Sequence, residues 1–313
     1  WTSDRPDANA PQGVYASRTL EASEIEIGYR FYQSNWQGVY FGTDSLGLAS
    51  TLQLYNDAPL QRADIRHQVR VGWGLSENLT LMARGEFAII ERETIANNGI
   101  LRTTSQALGD VELDALYNVY TGGAYRLHVM GGAILPTGKN RTYADTTRAR
   151  TGVTVTLPYD MRPGGGTFGG VLGMTGSVQN EVASVGAQFR LRGNFGTNGA
   201  GYRLGNQYEA NGWAAYKVTN HVSVSGGIRW EDWSHIEGAD PTLNPGGDPH
   251  NMGTLMAGQR ASMPLGVNFR LPSGSKLGGH LLTIESVYAL HHDYESPQMG
   301  MDWGLNFGWT MAF

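Results

Sequence analysis

The last fifteen residues constrain this chain most. They read Met-Gly-Met-Asp-Trp-Gly-Leu-Asn-Phe-Gly-Trp-Thr-Met-Ala-Phe over positions 299–313. Met299, Met301, Trp303, Leu305, Phe307, Trp309, Met311 and Phe313 share one parity; glycine, aspartate, asparagine, threonine and alanine share the other. A strand sends successive side chains to opposite faces, so one face is unbroken apolar surface and the other is small and polar. Ordinary strands run roughly 3–10 residues. A tilted strand that crosses a bilayer needs roughly 9–11, apolar outward and polar inward. The segment fits the second description.

The same alternation recurs upstream. Ile25, Ile27, Tyr29 and Phe31 oppose Glu24, Glu26, Gly28 and Arg30. Residues 63–73 set Ile65, Val69, Val71 and Trp73 against Asp64, Arg66, Gln68 and Arg70. Residues 79–90 set Leu81, Ala83, Phe87 and Ile89 against Thr80, Met82, Arg84 and Glu86. Residues 109–120 set Val111, Leu113, Ala115, Tyr117 and Val119 against Asp110, Glu112, Asp114 and Asn118. Segments at 125–135, 168–178, 184–195, 206–218, 222–233, 260–271, 280–289 and 299–313 complete about twelve strands. Connections at 76–78, 121–124, 179–183, 219–221 and 272–279 are short; those at 34–62, 91–108, 136–167, 196–205, 236–259 and 291–298 are long. Outer-membrane barrels sort their connections this way, with short periplasmic turns and long extracellular loops. The expected fold is all-β: a single antiparallel transmembrane β-barrel of about 12 strands over residues 24–313. Residues 1–23, polar and interrupted by Pro6 and Pro11, form an N-terminal periplasmic segment, either a tail or a partial plug.

Composition agrees. Only 40% of residues are hydrophobic, 44 are glycine, and no apolar run reaches the length of a spanning helix. A barrel needs no such run, because only alternate residues meet lipid. With no cysteine there is no disulfide scaffold. A net charge of −5 argues against a nucleic-acid surface. The only lysines are Lys139, Lys217 and Lys276, against twenty arginines, the residue better suited to crowded carboxylate pairing.

Those arginines fix the register. One Arg on the lipid face near the midplane costs about 2–4 kcal/mol. Seven such placements would exceed a domain's whole stability of about 5–15 kcal/mol. Every one sits opposite its strand's apolar set, so the charges must face inward. The expected lumen lining is Glu26, Arg30, Arg66, Arg70, Arg84, Glu86, Asp110, Glu112, Asp114, Arg126, His128, Arg190, Arg192, Glu209, Arg229, Glu231 and Glu285. Two readings stay open: a charge-selective pore, or an ion-paired core filling a narrow barrel. Eight strands leave room only for side chains and sixteen leave a water channel; twelve lies between. Trp73, Tyr117, Tyr125, Tyr216, Trp309 and Phe313 fall near the short-turn ends, as an interfacial girdle would. His67 is the misfit, being on the apolar parity; it belongs near the outer rim or at a protein interface.

Several segments, in order, resemble the MetA-pathway-of-phenol-degradation family of outer-membrane transporters. They are Asp7-Ala8-Asn9-Ala10-Pro11-Gln12-Gly13-Val14, Ile27-Gly28-Tyr29-Arg30-Phe31, Leu108-Gly109-Asp110-Val111 with Ala115-Leu116-Tyr117, and Leu135-Pro136-Thr137-Gly138-Lys139. Leu157-Pro158-Tyr159, Gly164-Gly165-Gly166-Thr167, Tyr202-Arg203-Leu204-Gly205-Asn206, Leu282-Thr283-Ile284-Glu285, and Pro297-Gln298-Met299 with Asp302-Trp303 continue the likeness. The resemblance implies a barrel and transport of small organic solutes, aromatic ones included. Relatives carry Met and His after the opening motif; Tyr15-Ala16-Ser17-Arg18 stands here, against a metal role for that segment. A closing strand ending in Phe313 is similar to the assembly signal of bacterial outer-membrane barrels, which implies the barrel-assembly machinery as a partner.

Other chemistry is weaker. Asp110 or Asp114 with His128 could orient a base, but Ser223 or Ser225 would have to come from several strands away, so no enzyme is expected. His291-His292-Asp293 and His250–Met252 with Met256 carry metal-type ligands, yet in outer loops they read as solvated; no metal or cofactor is expected. Asp240–Pro249, rich in Pro, Gly and Asp, reads as a loop first and a calcium site only second. Gly164-Gly165-Gly166 and Gly122-Gly123 precede no helix and read as turns. The expected function is an outer-membrane channel passing small molecules through an Arg- and carboxylate-lined lumen. The alternative is a sealed barrel serving as a structural or assembly partner. Expected surroundings are outer-membrane lipid, lipopolysaccharide and a small-molecule permeant, with room for oligomers.

Overall fold

In the computed structural model, residues 3, 5–96, 99–145, 154–272 and 278–313 are described. Trp1 and Asp4 of the N-terminal segment, and most of the turn expected at 272–279, lie outside them.

Eleven antiparallel strands close a barrel. They are β1 (Ile25–Gly42), β2 (Asp57–Ser76), β3 (Leu79–Ala96), β4 (Val111–Gly122), β5 (Tyr125–Leu135), β6 (Phe168–Gln179), β7 (Ala183–Phe195), β8 (Gln207–Lys217), β9 (Val222–Trp233), β10 (Gly258–Arg270) and β11 (His280–Ala312). Each pairs with its neighbours in sequence, and β11 pairs with β1 to seal the ring. Two further strands of the same sheet lie outside the ring: Asp44–Leu46 on β1 and Gly99–Leu108 on the outer end of β3. Closure leaves no unpaired edge, which a bilayer requires.

An odd number of alternating passes would make the first and last strands parallel, yet β1 and β11 are antiparallel. β11 resolves this by folding back on itself. Its first part pairs with β10 up to Tyr294, and its second pairs with β1 from Tyr294 onward. Trp309 Nε1 donates to His280 Nδ1 at 2.8 Å, and Asn306 Nδ2 donates to Glu285 at 2.7 Å, so the two ends lie side by side. The ring therefore has twelve crossings. Ile25 and Phe313 exchange backbone hydrogen bonds at 2.9 and 3.0 Å, placing both ends of the barrel on the short-turn rim. At the β4–β5 turn Gly123 has φ +53°, the left-handed backbone a tight Gly-Gly hairpin uses.

The apolar parity faces outward. Val69, Val71, Trp73, Leu81, Phe87, Tyr117, Val129, Phe189 and Phe307 are all exposed in the isolated chain, forming the surface that meets lipid. His67 shares that face; the Tyr29 hydroxyl lies 2.7 Å from its Nδ1, and Phe31 packs edge-on at 5.5 Å.

Three expectations need correction. Residues 291–298 are not a long connection but lie within β11. Residues 91–108 are not a long loop: β3 runs on to Ala96 and pairs with Gly99–Leu108. Residues 34–62 are shortened likewise, since β1 reaches Gly42 and β2 starts at Asp57. Above the membrane both faces of a hairpin meet water or protein, so its ladder persists after the apolar alternation has gone.

Candidate functional site

Four glycine-bearing segments meet at the outer rim. Asp110 interrupts the line from Gly99–Leu108 into β4, and its carboxylate accepts from Gly138 N–H at 2.9 Å and Gly165 N–H at 2.7 Å. Lys139 N–H donates to the Leu108 carbonyl, and Gly164 N–H to the Lys139 carbonyl. Asn198 then donates to the Gly165 carbonyl at 2.8 Å. A Cβ on Gly164 would lie 2.6 Å from Gly138 backbone atoms, so the chains approach too closely for any side chain there. Asp110 is therefore a backbone clasp.

The knot anchors a folded outer cap. Tyr159, Ala200, Tyr202, Ile236 and Leu243 pack together, while Leu157 and Met161 pack on Ala88 and Ile90 of β3. Buried charges fasten the cap to the wall. Asp160 receives Arg62 and Arg92, both at 3.1 Å, and Asp248 receives Arg92 at 2.5 Å. Arg141 and Arg162 converge on Asp240 at 2.7 and 3.0 Å. His250 is buried in this cluster, not solvated as expected from its place in an outer loop. Met299 N–H donates to its Nε2, which leaves Nδ1 to donate toward Asp248. Burial alone would raise the Asp160 and Asp248 carboxyls, but Arg92, with Arg62 at Asp160 and the His250 hydrogen bond at Asp248, outweighs it and holds both below the ordinary range. Among the described residues no group of three or more His, Asp or Glu is arranged to hold a metal.

The N-terminal segment enters from the opposite rim. Its polar groups meet inward side chains of seven strands. Leu20 N–H donates to Thr80, Tyr15 hydroxyl to Asp114 at 2.9 Å, and His128 Nε2 to the Ala16 carbonyl at 2.9 Å. Gln188 donates to the Tyr15 carbonyl, Ser184 to the Asp7 carbonyl, Asn268 to the Pro6 carbonyl, and Gly13 N–H to Glu285. Arg18 pairs with Glu26 at 2.6 Å. Tyr15 and Ala16 also sit on an apolar patch of Met82, Leu116, Met130, Ile134 and Val171. Met82 falls inward, as its parity implies; the rest of the patch carried no charge to mark it.

Between segment and cap lies a cavity of about 370 Å³, floored by Gly13 and Tyr15 and reaching Pro163 of the cap. Eleven of the seventeen expected lining residues border it: Arg30, Arg66, Arg84, Glu86, Asp110, Glu112, Arg190, Arg192, Glu209, Arg229 and Glu231. Arg66 pairs with Glu86 at 2.5 Å, while Arg84, at 2.9 Å, and Arg190 share Glu112. Arg229 approaches Glu209 at 3.9 Å. Six lie apart from it. Asp114 and His128 hold the N-terminal segment, Arg126 donates to Ser3, and Glu285 accepts from Asn306 and Gly13. Glu26 pairs with Arg70 at 3.2 Å, and Arg70 donates to Thr310. Sequence reasoning missed Asp64, Trp36, Tyr15 and Arg260 on the cavity wall. Arg260 pairs with Glu231 at 2.7 Å and stacks on Trp36, whose ring also meets Arg62. Arg260 opens its strand with inward parity, and this was the available signal.

The sequence matches the family model described as "Putative MetA-pathway of phenol degradation" over residues 4–247. An outer membrane channel from Pseudomonas putida F1 superposes with a TM-score of 0.67 at 12% identity, over 96% of this chain and 99% of that one. The KdgM porin gives 0.45 at 8% identity over 92% and 99%. The toluene transporter TodX of P. putida gives 0.43 at 9% over 94% and 91%. No curated protein matches the sequence. The fold is that of an integral outer-membrane barrel in contact with lipid.

Proposed function

Since the chain belongs to the phenol-degradation family just described, whose model covers well over half of it, we propose that it is an outer-membrane channel for small solutes. Solutes pass between the N-terminal segment and the cap through a passage lined by arginines and carboxylates. The observation that carries this reading is the cavity itself: about 370 Å³ of polar space remains where the same charges, fully paired and packed, would have left none. A second cavity of about 300 Å³ shares Trp36, Gln207, Glu209, Glu231 and Arg260 with the first and adds the rings of Tyr208 and Trp233, which extends the space toward the outer ends of β8 and β9. Residues 1–23 serve as a partial plug on the periplasmic side of the 24–313 barrel. Transport of aromatic and other small organic solutes is what the family description supports. Location in the bacterial outer membrane, contact with lipopolysaccharide, and assembly through the strand ending at Phe313 follow from the barrel reading.

The density of hydrogen bonds to residues 5–20 favours a second reading, a sealed barrel with a structural or assembly role. Planar-bilayer recording of the full chain separates the two. Steady ohmic steps are expected; silence at every voltage would leave the sealed barrel.

A further inference from the structure

The cavity wall carries more cation than its carboxylates use. Seven arginines and six carboxylates line it. One carboxylate, Asp110, is already taken by the Gly138 and Gly165 amides. The others are engaged by Arg66, Arg84, Arg190, Arg229 and Arg260. That leaves Arg30 and Arg192. Neither has a carboxylate within 4.0 Å among the described residues. Arg30 donates only to the amide oxygens of Asn306 and Gln68, and its guanidinium lies 5.0 Å over the Tyr32 ring. Arg192 has no hydrogen bond to any described residue, and its Nε is out of reach of water.

The paired arginines turn their remaining nitrogens away from the cavity. Arg190, Arg229 and Arg260 are each about nine-tenths buried, and each retains one nitrogen without a partner: Nε of Arg190, Nη2 of Arg229 and Nη1 of Arg260. These three nitrogens are buried out of reach of the cavity, so the positive charge open to a solute is that of Arg30 and Arg192, which border the cavity without a carboxylate partner. Aromatic rings hold these groups in place: Arg84 and Arg190 lie over Tyr15 at 4.2 and 5.4 Å, and Arg260 over Trp36 at 4.9 Å. The planar guanidinium fork is the group whose geometry matches a planar, two-oxygen anion.

We propose that this cavity is a binding site for a small monoanionic organic carboxylate, with Arg192 and Arg30 as its charge partners. The inference rests on the channel reading and names the solute class for it. A neutral hydrocarbon would have to desolvate the same wall and return nothing to its donors. A carboxylate instead satisfies them and balances the one excess positive charge. A dianion would exceed that balance.

Benzoate is a suitable probe, with benzamide as its uncharged counterpart of the same shape. Titration of the full chain in detergent, followed by tryptophan fluorescence through Trp36, is expected to show saturable binding of benzoate and none of benzamide. The Arg30→Gln, Arg192→Gln double variant, with its folded state checked by heat-dependent migration on a gel, is expected to lose about tenfold or more in benzoate affinity. In bilayers, benzoate is expected to reduce chloride current in the wild type and much less in the variant. Equal binding of benzoate and benzamide, or an unchanged affinity in the folded variant, would overturn the site. Should the variant fail to fold, Arg192→Lys tests the same point, because a point charge cannot replace the planar fork. Benzoate binding by a barrel that never conducts would sink the channel reading and leave the site standing. Conductance without benzoate binding would do the reverse.

Discussion

The N-terminal segment and the outer cap both fill the barrel, and they are fastened by different physics. The segment meets the wall mainly through single hydrogen bonds to neutral or backbone partners: Leu20 to Thr80, Gln188 to the Tyr15 carbonyl, Asn268 to the Pro6 carbonyl. Each contributes about 0.5–1.5 kcal/mol net, because water can replace it when the segment leaves. The cap is held by Arg62, Arg92, Asp160 and Asp248, buried together, and by the Gly138–Gly164 contact that admits no side chain. Breaking such a set strands charges away from water. The difference teaches which end can move: a segment of replaceable bonds is a removable element, and an ion-locked cap is part of the wall.

The sharpest way to break this comparison is to remove the segment. Deleting residues 1–20 takes Tyr15, Gly13 and the Arg18–Glu26 pair out of the interior while leaving every ladder of the barrel intact. Unitary conductance is expected to rise several-fold, with the barrel still shifting on heated gels. If current and its noise match those of the full chain, the segment does not narrow the passage.

Next in size is the cap. Asp248→Ala removes one partner of Arg92 and of His250. Losing one side of a buried pair costs about 3–5 kcal/mol. Protease nicking of the 240–255 loop is expected to appear in the variant and not in the wild type, with little change in unitary conductance. Acid should mimic it. Asp160 and Asp248 titrate below the ordinary range when folded, so their contribution is present above the usual carboxylate value of about 4 and is lost as pH falls through the lower folded values. Pepsin is therefore expected to cut the cap only in strong acid. Nicking equal to wild type in Asp248→Ala would show that the cap is held by packing alone.

How much of this was legible in the sequence differs between the same two regions. The strands were readable because Arg66, Arg70 and Arg84 cannot face lipid, which fixes parity without any knowledge of pairing. The Pro-Thr-Gly, Gly-Asp and Gly-Gly-Gly-Thr segments were visible as family-like motifs, but that Asp110 ties two of them together was not, since their contact is set by loop paths 28 and 55 residues long. The cap's ion cluster was missed for the same reason: Arg62, Arg92, Asp160 and Asp248 come from four distant stretches with no shared period. His250 illustrates the limit, because its burial depends on a neighbour almost fifty residues away at Met299. β11 shows the opposite case. Its two passes were separable in the sequence by their parity, whereas continuous hydrogen bonding joins them into one 33-residue element.

The smallest expected effect tests a single bond in the segment. The Tyr15 hydroxyl donates to Asp114 at 2.9 Å, and its ring meets the guanidinium groups of Arg84 and Arg190 at 4.2 and 5.4 Å. Tyr15→Phe keeps the ring and its cation contacts and removes only the donor. Asp114 then loses a buried partner, a loss of about 1–3 kcal/mol that falls on the docked state and not on the barrel. Brief excursions to the conductance of the 1–20 deletion are expected to become about tenfold more frequent, while the resting conductance stays unchanged. Burial pushes the Tyr15 phenol well up, with Asp114 and Glu112 adding to it. The docked state thus holds the proton, and its stability is complete below the ordinary tyrosine value of about 10 and weakens only above it. As far as Tyr15 is concerned, wild-type excursion frequency is therefore expected to be flat from about pH 6 to 9. A frequency in Tyr15→Phe equal to wild type would mean the ring, through its contacts with the two arginines, holds the segment without its hydroxyl.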